Sequence, residues 1–138
     1  MPKTTRRGDP KLSELPSTIR KSDEHAQRIF AEVHDSALEE YQSEQRAHRV
    51  AYAALKHSYE KVGDHWEPKK QKGPSDERAR HGGPEPAGKT AGGVDANASK
   101  QHLLDIAKRL EISGRSRMTK KELIESIQRS NERARRQN

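Results

Sequence analysis

The sequence contains no cysteine, which excludes disulfide bonds, thiol nucleophiles and cysteine-based zinc sites. It also has only one Trp, one Phe and three Tyr among 138 residues, and 28% of its residues are apolar. So few apolar residues cannot supply a hydrophobic core for the whole chain, because the free energy gained by burying them would not offset the entropy lost on ordering 138 residues. We therefore expect small ordered modules separated by disordered segments.

Long apolar runs are missing as well. The longest extends over six residues, from Val50 to Leu55, whereas a helix that crosses a bilayer needs about 20. The basic start, MPKTTRRGDPK, is not followed by the apolar segment of a secretory signal. The sequence therefore predicts a cytoplasmic protein without membrane insertion.

Charge is distributed unevenly along the chain. Residues 22–68 carry five Lys or Arg and ten Asp or Glu, a net charge of −5, whereas residues 94–138 carry eleven and six, a net charge of +5. A polyanion should therefore avoid the middle of the chain and favour its basic ends. The acids at positions 23, 24, 32, 35, 39, 40 and 44 form either a solvated helix surface or a docking face for a basic protein partner.

Apolar spacings of three and four predict a helical hairpin in the first half of the chain. Ser22 or Asp23 is the expected N-cap of its first helix and Ser43 that of its second, while Gly63 is the expected C-cap. Trp66 is interpreted as a core residue, with a partner-binding anchor as the alternative. The predicted core of this module comprises Leu15, Ile19, Phe30, Val33, Tyr41, Val50, Ala54, Leu55, Val62 and Trp66.

Two shorter amphipathic helices are predicted near the C-terminus. Ser99 is the expected cap of the first, Gly114 suits the turn, and Thr119 with Glu122 has the spacing of a capping box that starts the second. Leu103 is expected to face inward with the predicted core residues of this module, which are Leu104, Ala107, Leu110, Leu123, Ile124 and Ile127.

These patterns predict an all-α protein of two small helical modules joined by a flexible linker. The expected boundaries are a disordered tail at 1–11, a first module at 12–68, a linker at 69–95, a second module at 96–130 and a basic tail at 131–138. Residues 69–93 contain six of the nine glycines and three prolines. As a flexible coil, a segment of this length spans roughly 25–30 Å, so the modules are expected to tumble independently.

The second module concentrates positive charge around its turn. This is either ordinary solubilising charge or a site for nucleic-acid phosphates. No pair of aromatic side chains is available to stack on bases, so binding is expected to be weak, salt-sensitive and directed at DNA or RNA phosphates. The candidate nucleic-acid-binding residues are Lys108, Arg115, Arg117, Lys120, Lys121 and Arg129.

Neither metal binding nor catalysis is predicted. None of the seven histidines pairs with another at i, i+4, so they are interpreted as scattered surface or capping residues. The run from Lys56 to Lys61 contains groups that hydrolases use, but the sequence has no nucleophile-elbow motif and no glycine-rich phosphate loop. We therefore expect no enzyme activity, no catalytic residues, no cofactor, no metal and no small-molecule substrate.

Two family resemblances add to this interpretation. Leu15-Pro16 and the run RAHRVAYAALKHSYEKVGDHWEPK, from Arg46 to Lys69, resemble the ChaB family. Many ChaB proteins have Trp at the position of Tyr52. The family is described as a cation transport regulator, which implies association with a cation/proton antiporter.

The second resemblance lies in the pattern LxxIAKxL…GRSRMxKxELI, which is similar to the N-terminal helical module of the Rho termination factor, itself similar in shape to SAP and LEM domains. This resemblance implies a function that involves nucleic acid. The leading hypothesis is a non-enzymatic, nucleic-acid-associated adaptor whose residues 22–68 contact an unidentified protein partner. The alternative is a cation transport regulator that contacts an antiporter through its acidic module.

Overall fold

The computed structural model describes residues 3–4, 10–70, 72–73 and 92–136, and these form five helices and one small sheet. The prediction of an all-α fold is therefore wrong in one respect, although the protein is mostly helical. No helix in the described residues is both long and apolar enough to cross a membrane. In chain order the elements are α1 (Ser17–Arg20), α2 (Glu24–Tyr41), α3 (Glu44–Ser58), β1 (Tyr59–Val62), β2 (His65–Pro68), α4 (Lys100–Arg109) and α5 (Lys120–Arg136), with 3₁₀ turns at Leu12–Glu14 and Arg115–Arg117.

Side-chain caps define where the helices begin, and the predicted N-caps are confirmed, with Asp23 rather than Ser22 capping α2. The carboxylate of Asp23 accepts a hydrogen bond from the Ala26 amide at 2.8 Å at the start of α2. Ser43 begins α3 and Ser99 begins α4, each accepting from the amide three residues later. These caps satisfy backbone N–H groups that have no partner within the helix.

A β-hairpin follows α3, in place of the helical continuation that the spacing of Leu55 and Val62 predicts. α3 ends at Ser58, and β1 pairs with β2 in an antiparallel register from Tyr59 opposite Pro68 to Val62 opposite His65. The predicted helix C-cap, Gly63, instead lies in the two-residue turn with a φ of 68°. A positive φ is easily adopted by glycine and is typical of such turns.

The first core lies between α2, α3 and the hairpin. Leu15, Ile19 and Trp66 close it, as the helical-hairpin interpretation expects, and they are at most 4% exposed. Among the other predicted core residues, Phe30 and Leu55 are fully buried, and Val33 is partly buried against the cluster. The core cluster also contains four residues outside the predicted set, which are Ala26, Ala31, Ala51 and Tyr59. The structure leaves Tyr41, Val50 and Ala54 partly exposed.

The second core joins α4 and α5 to the hairpin. It includes one residue of β1, Val62, and Val94 from the segment before α4. Ala107, Leu123 and Ile127 of the predicted set are buried here. Leu103 and Ile106 are buried with them, and Leu104, Leu110 and Ile124 are partly buried against the cluster.

Hydrogen bonds connect the two modules at the hairpin. The side chain of Asn131 is 2% exposed; its oxygen accepts from the Gly63 amide at 2.7 Å, and its nitrogen donates to the Lys61 carbonyl at 3.1 Å. The Lys61 amide donates to the Gly93 carbonyl at 2.9 Å. The two modules are thus in contact, whereas the composition predicts that they tumble independently.

Parts of the predicted linker and tail are ordered within this contact region. Lys69 and Asp95 are buried and form an ion pair with 3.6 Å between Nζ and Oδ2. Residues 74–91 of the predicted linker lie outside the described residues. α5 extends to Arg136, through most of the segment predicted as a basic tail.

Candidate nucleic-acid interface

Four cations lie between α4 and the first turn of α5, at Arg115, Arg117, Lys120 and Lys121, and we call this group the basic turn. Gly114 begins it with a φ of 75°, and the 3₁₀ turn Arg115–Arg117 follows directly. The sequence order of a glycine, a short turn and a helix start therefore concentrates the four cations at one corner of the module.

The capping box predicted at the start of α5 is confirmed. The Thr119 amide donates to Glu122 Oε1 at 3.0 Å, and the Glu122 amide donates to Thr119 Oγ1 at 3.2 Å. The first of these hydrogen bonds lowers the pKa of the Glu122 carboxyl. These two hydrogen bonds occupy the Thr119 and Glu122 amides, so those two amides are not available to an anion at this helix start.

The charge of the basic turn is mostly uncompensated. Arg117, Lys120 and Lys121 are exposed, and in the part of the chain that the structure describes no carboxylate forms an ion pair with them. Arg115 is partly buried, and its guanidinium donates to the Ile112 carbonyl at 3.1 Å. Cations without acidic partners produce a positive potential that attracts polyanions.

Other arginines of the same module are neutralised. The guanidinium of Arg109 forms two hydrogen bonds with the carboxylate of Glu67, and those bonds lower the pKa of Glu67. Arg135 and Arg136 both form ion pairs with Glu132. Cations without an ion pair among the described residues are therefore most closely grouped at the start of α5, and the others, Lys100, Lys108, Arg129 and Arg133, are spread over α4 and α5.

The two remaining candidates lie apart from the basic turn. Lys108 is exposed in the last turn of α4. Arg129 is exposed on α5, where its guanidinium donates to Ser126 at 3.1 Å. It lies eight residues after Lys121, about 12 Å along the helix axis, and the exposed acid Glu125 occupies the intervening position on that face. The structure thus groups four of the six predicted residues.

The acidic module presents only part of its charge to solvent. Asp23 caps α2 and accepts from the Tyr59 hydroxyl, and Asp35 accepts from Thr4. Glu32, Glu39 and Glu40 are exposed on α2. The Tyr59 hydroxyl, one of the groups considered for catalysis, therefore has a structural partner, and burial with the Asp23 hydrogen bond raises its pKa to about 12.

Sequence reasoning missed a cluster of histidines in the first module. His34 is fully buried, so its interpretation as a surface or capping residue is wrong. Its ring lies 5.1 Å, between centroids, from that of His48 on the next helix. The i, i+4 pair of Glu44 and His48 was visible in the sequence, but the approach of His34 depends on how α2 packs against α3.

Comparison with known families supports both resemblances. Residues 15–69 match the family model ChaB, and residues 100–134 match the model described as Rho termination factor, N-terminal domain. No curated protein matches the chain. No solved structure matches it either. Residues 15–69 are therefore similar to the ChaB family and residues 100–134 to the Rho termination factor N-terminal domain, in that order, and neither is an enzyme family.

Proposed function

We propose that this chain is a non-enzymatic adaptor whose Rho N-terminal module binds DNA or RNA phosphates through the basic turn. The observation that carries the proposal is the group of exposed cations at Arg117, Lys120 and Lys121, which have no acidic partner among the described residues. Arg115 belongs to the same turn, and Lys108 and Arg129, which lie apart from it, add positive charge to the module.

The chemistry of the module favours phosphate contacts over base recognition. Residues 94–138 contain no Phe, Tyr or Trp, so the module lacks the aromatic platform on which single-stranded bases stack. Lys and Arg side chains on an exposed turn bind phosphate oxygens without reading sequence. Binding is therefore weak, tolerant of sequence and strongly reduced by salt.

The rest of the molecule orients a bound polyanion. The ChaB module carries the net negative charge of residues 22–68 and repels phosphates. The modules meet at the hairpin through Asn131 and the pair of Arg109 with Glu67, and none of these residues belongs to the basic turn. The ChaB module is then available to an unidentified protein partner while the basic turn holds nucleic acid.

The test is the salt dependence of binding to a short oligonucleotide. The triple variant Arg117→Gln, Lys120→Gln and Lys121→Gln should bind more weakly, because it removes three phosphate contacts. Each contact contributes about 0.9 to the slope of log K against log salt, so the slope should fall by about 3. Fluorescence anisotropy at several salt concentrations measures this change.

A matched control removes the same net charge elsewhere on α5. The triple variant Arg133→Gln, Arg135→Gln and Arg136→Gln also lowers the charge by three, but two of these cations already have an acidic partner in Glu132. Its slope should change much less. Equal losses in the two variants would show general charge attraction and contradict a site at the basic turn, and absence of binding by the parent chain at low salt would end the proposal.

A second candidate function is regulation of a cation/proton antiporter through the ChaB module. It is favoured by the exposed acids Glu32, Glu39 and Glu40 on one helix, which suit a basic loop of a partner. Replacing all three with Gln should abolish binding to such a transporter in detergent and should not weaken oligonucleotide binding, because it removes negative charge that repels phosphates. Retained transporter binding would argue against this acidic face.

A further inference from the structure

Two histidines and one glutamate converge where α2 meets α3. His34 comes from α2, and Glu44 and His48 come from the first two turns of α3. The distance between His34 Nε2 and Glu44 Oε1 is 2.8 Å, and that between His48 Nε2 and the same oxygen is 3.3 Å. The three ligand atoms all lie within 4.8 Å of one another. The chain reverses between the helices at Gln42, which has a φ of 53° and ends α2.

The three side chains of this group differ in their exposure to solvent. His34 is fully buried and packs against Phe30, with ring centroids 6.2 Å apart. The side chain of His48 is 33% exposed and that of Glu44 is 48% exposed. One imidazole is thus fixed in the protein interior, while the other two side chains retain access to solvent.

A second layer of hydrogen bonds orients the buried imidazole. His34 Nδ1 lies 3.1 Å from Asp35 Oδ1. Asp35 is itself held by the Lys3 amide at 2.6 Å and by the amide and hydroxyl of Thr4 at 3.0 and 2.5 Å. A carboxylate that accepts from one ring nitrogen orients the other toward a metal in carboxylate–histidine–metal triads. In the metal-free protein His34 Nε2 donates to Glu44 Oε1, and a bound metal ion would replace that proton.

We propose that His34 Nε2, Glu44 Oε1 and His48 Nε2 bind one divalent transition-metal ion. Zinc bonds to nitrogen and carboxylate oxygen are about 2.0–2.2 Å long, so neighbouring ligands of a tetrahedral ion are about 3.3 Å apart. The pair of Glu44 and His48 already has that separation, and His34 needs to move away from Glu44 by a few tenths of an ångström. A fourth position remains for water or a ligand.

The ligand types select the class of ion. Two imidazoles and one carboxylate suit zinc, cobalt or nickel, whereas calcium and magnesium require predominantly oxygen ligands. Metal binding requires neutral imidazoles. Lys3 Nζ lies 3.8 Å from Glu44 Oε1 and is the cation that the metal would displace from this oxygen.

Occupation of the site would link α2 to α3 next to the loop between them. A ligand that binds only the folded chain raises its melting temperature. This inference is independent of the proposed nucleic-acid function, because it concerns the opposite module and different side chains.

The experiment is a thermal melt of the tag-free full chain with and without zinc chloride, in a buffer that does not chelate. His48→Gln is the main variant because its side chain is partly exposed and the fold should tolerate the change. His57→Gln is the matched control, since His57 is exposed on the same helix and outside the cluster. Circular dichroism without metal verifies that both variants are folded.

Zinc should raise the melting temperature of the parent chain and of His57→Gln by several degrees, and that of His48→Gln by much less. In isothermal titration of the parent chain one zinc ion should bind, and His48→Gln should bind at least about 100-fold more weakly, more than the loss typical of a supporting residue. Glu44→Gln provides a second test of the same site.

Binding of cobalt can be followed by visible absorption, which reports the coordination of the metal directly, whereas a melting temperature does not. Tetrahedral binding should produce visible absorption bands that are lost in His48→Gln and retained in His57→Gln. Equal zinc-induced shifts of the melting temperature in the two variants would overturn the proposal. So would the absence of any such shift in the parent chain together with unchanged imidazole NMR signals at saturating zinc. In either case the three side chains would form a hydrogen-bonded cluster that binds no metal.

Discussion

Replacing Gly93 with Ala should disrupt the contact between the modules. Gly93 has a φ of +97°, and a Cβ added there would lie 2.8 Å from Lys61 Cβ and 2.8 Å from Trp66 Cη2. The backbone conformation costs a non-glycine residue about 1–2 kcal/mol. Overpacking against a buried ring adds about 1–3 kcal/mol, so Gly93→Ala should lower the free energy of unfolding by about 2–5 kcal/mol.

Gly114→Ala is the matched control for the backbone effect. Gly114 also has a positive φ, +75°, but no atom lies within 4 Å of its added Cβ. This variant should cost only the conformational term, about 1–2 kcal/mol. The difference between the variants, about 1–3 kcal/mol, therefore isolates the clash with the hairpin.

Urea denaturation followed by circular dichroism and by Trp66 fluorescence measures both free energies. Trp66 is the only Trp and contacts the added methyl group directly, so its emission reports the relevant region. The Lys61 amide, which donates to the Gly93 carbonyl, should also exchange faster with solvent in Gly93→Ala. Equal costs for the two variants, with unchanged exchange at Lys61, would refute the packing of Gly93 against the hairpin.

Three further predictions concern the hairpin and its contacts. Trp66→Ala should lower the free energy of unfolding by about 3–5 kcal/mol, as buried aromatic truncations do, and an unchanged thermal melt would instead place the ring outside the core. Asn131→Ala leaves the Gly63 amide and the Lys61 carbonyl without their partners, so it should lower the free energy of unfolding, measured in urea, by about 2–4 kcal/mol. A loss under about 0.5 kcal/mol, which is typical of a surface substitution, would contradict this contact. Glu67→Gln should cost about 0.5–1 kcal/mol at pH 7. The bond to Arg109 lowers the pKa of Glu67 below its ordinary value of 4.5. The difference in stability between the parent chain and Glu67→Gln should therefore persist above pH 4.5 and disappear as the pH falls through the lowered pKa. A difference that stays constant through the acid titration would refute the ion pair of Glu67 with Arg109.

Local signals in the sequence were sufficient to locate several helix starts. Asp23, Ser43, Ser99 and the Thr119 capping box each act through hydrogen bonds to residues three positions away. Such contacts depend only on neighbouring residues, so they can be identified from a short pattern. The grouping of cations at the basic turn follows from the same local information.

The hairpin could not be identified in this way. Leu55 and Val62 are seven residues apart, which fits two turns of a helix, and Gly63 with Pro68 resembles a helix end. The strand is instead stabilised by distant partners, since Asn131 and Gly93 bond to its backbone from 32 to 70 residues away. Tertiary contacts of that range override a local pattern.

The histidine cluster required the same long-range information. His34 and Glu44 are separated by a helix end and a loop, and only the packing of α2 on α3 brings their side chains within 2.8 Å. Counting histidine spacings within one helix therefore overlooked a group that two helices assemble.

The central claim is that the basic turn binds nucleic-acid phosphates, and backbone amide shifts test it most directly. Isotope-labelled full-length protein should be titrated with short single strands and duplexes of RNA and DNA at low and physiological salt. We predict shifts concentrated at residues 114–121 that diminish as salt is added. No shifts at low salt, or shifts centred on α2 of the acidic module, would contradict the account.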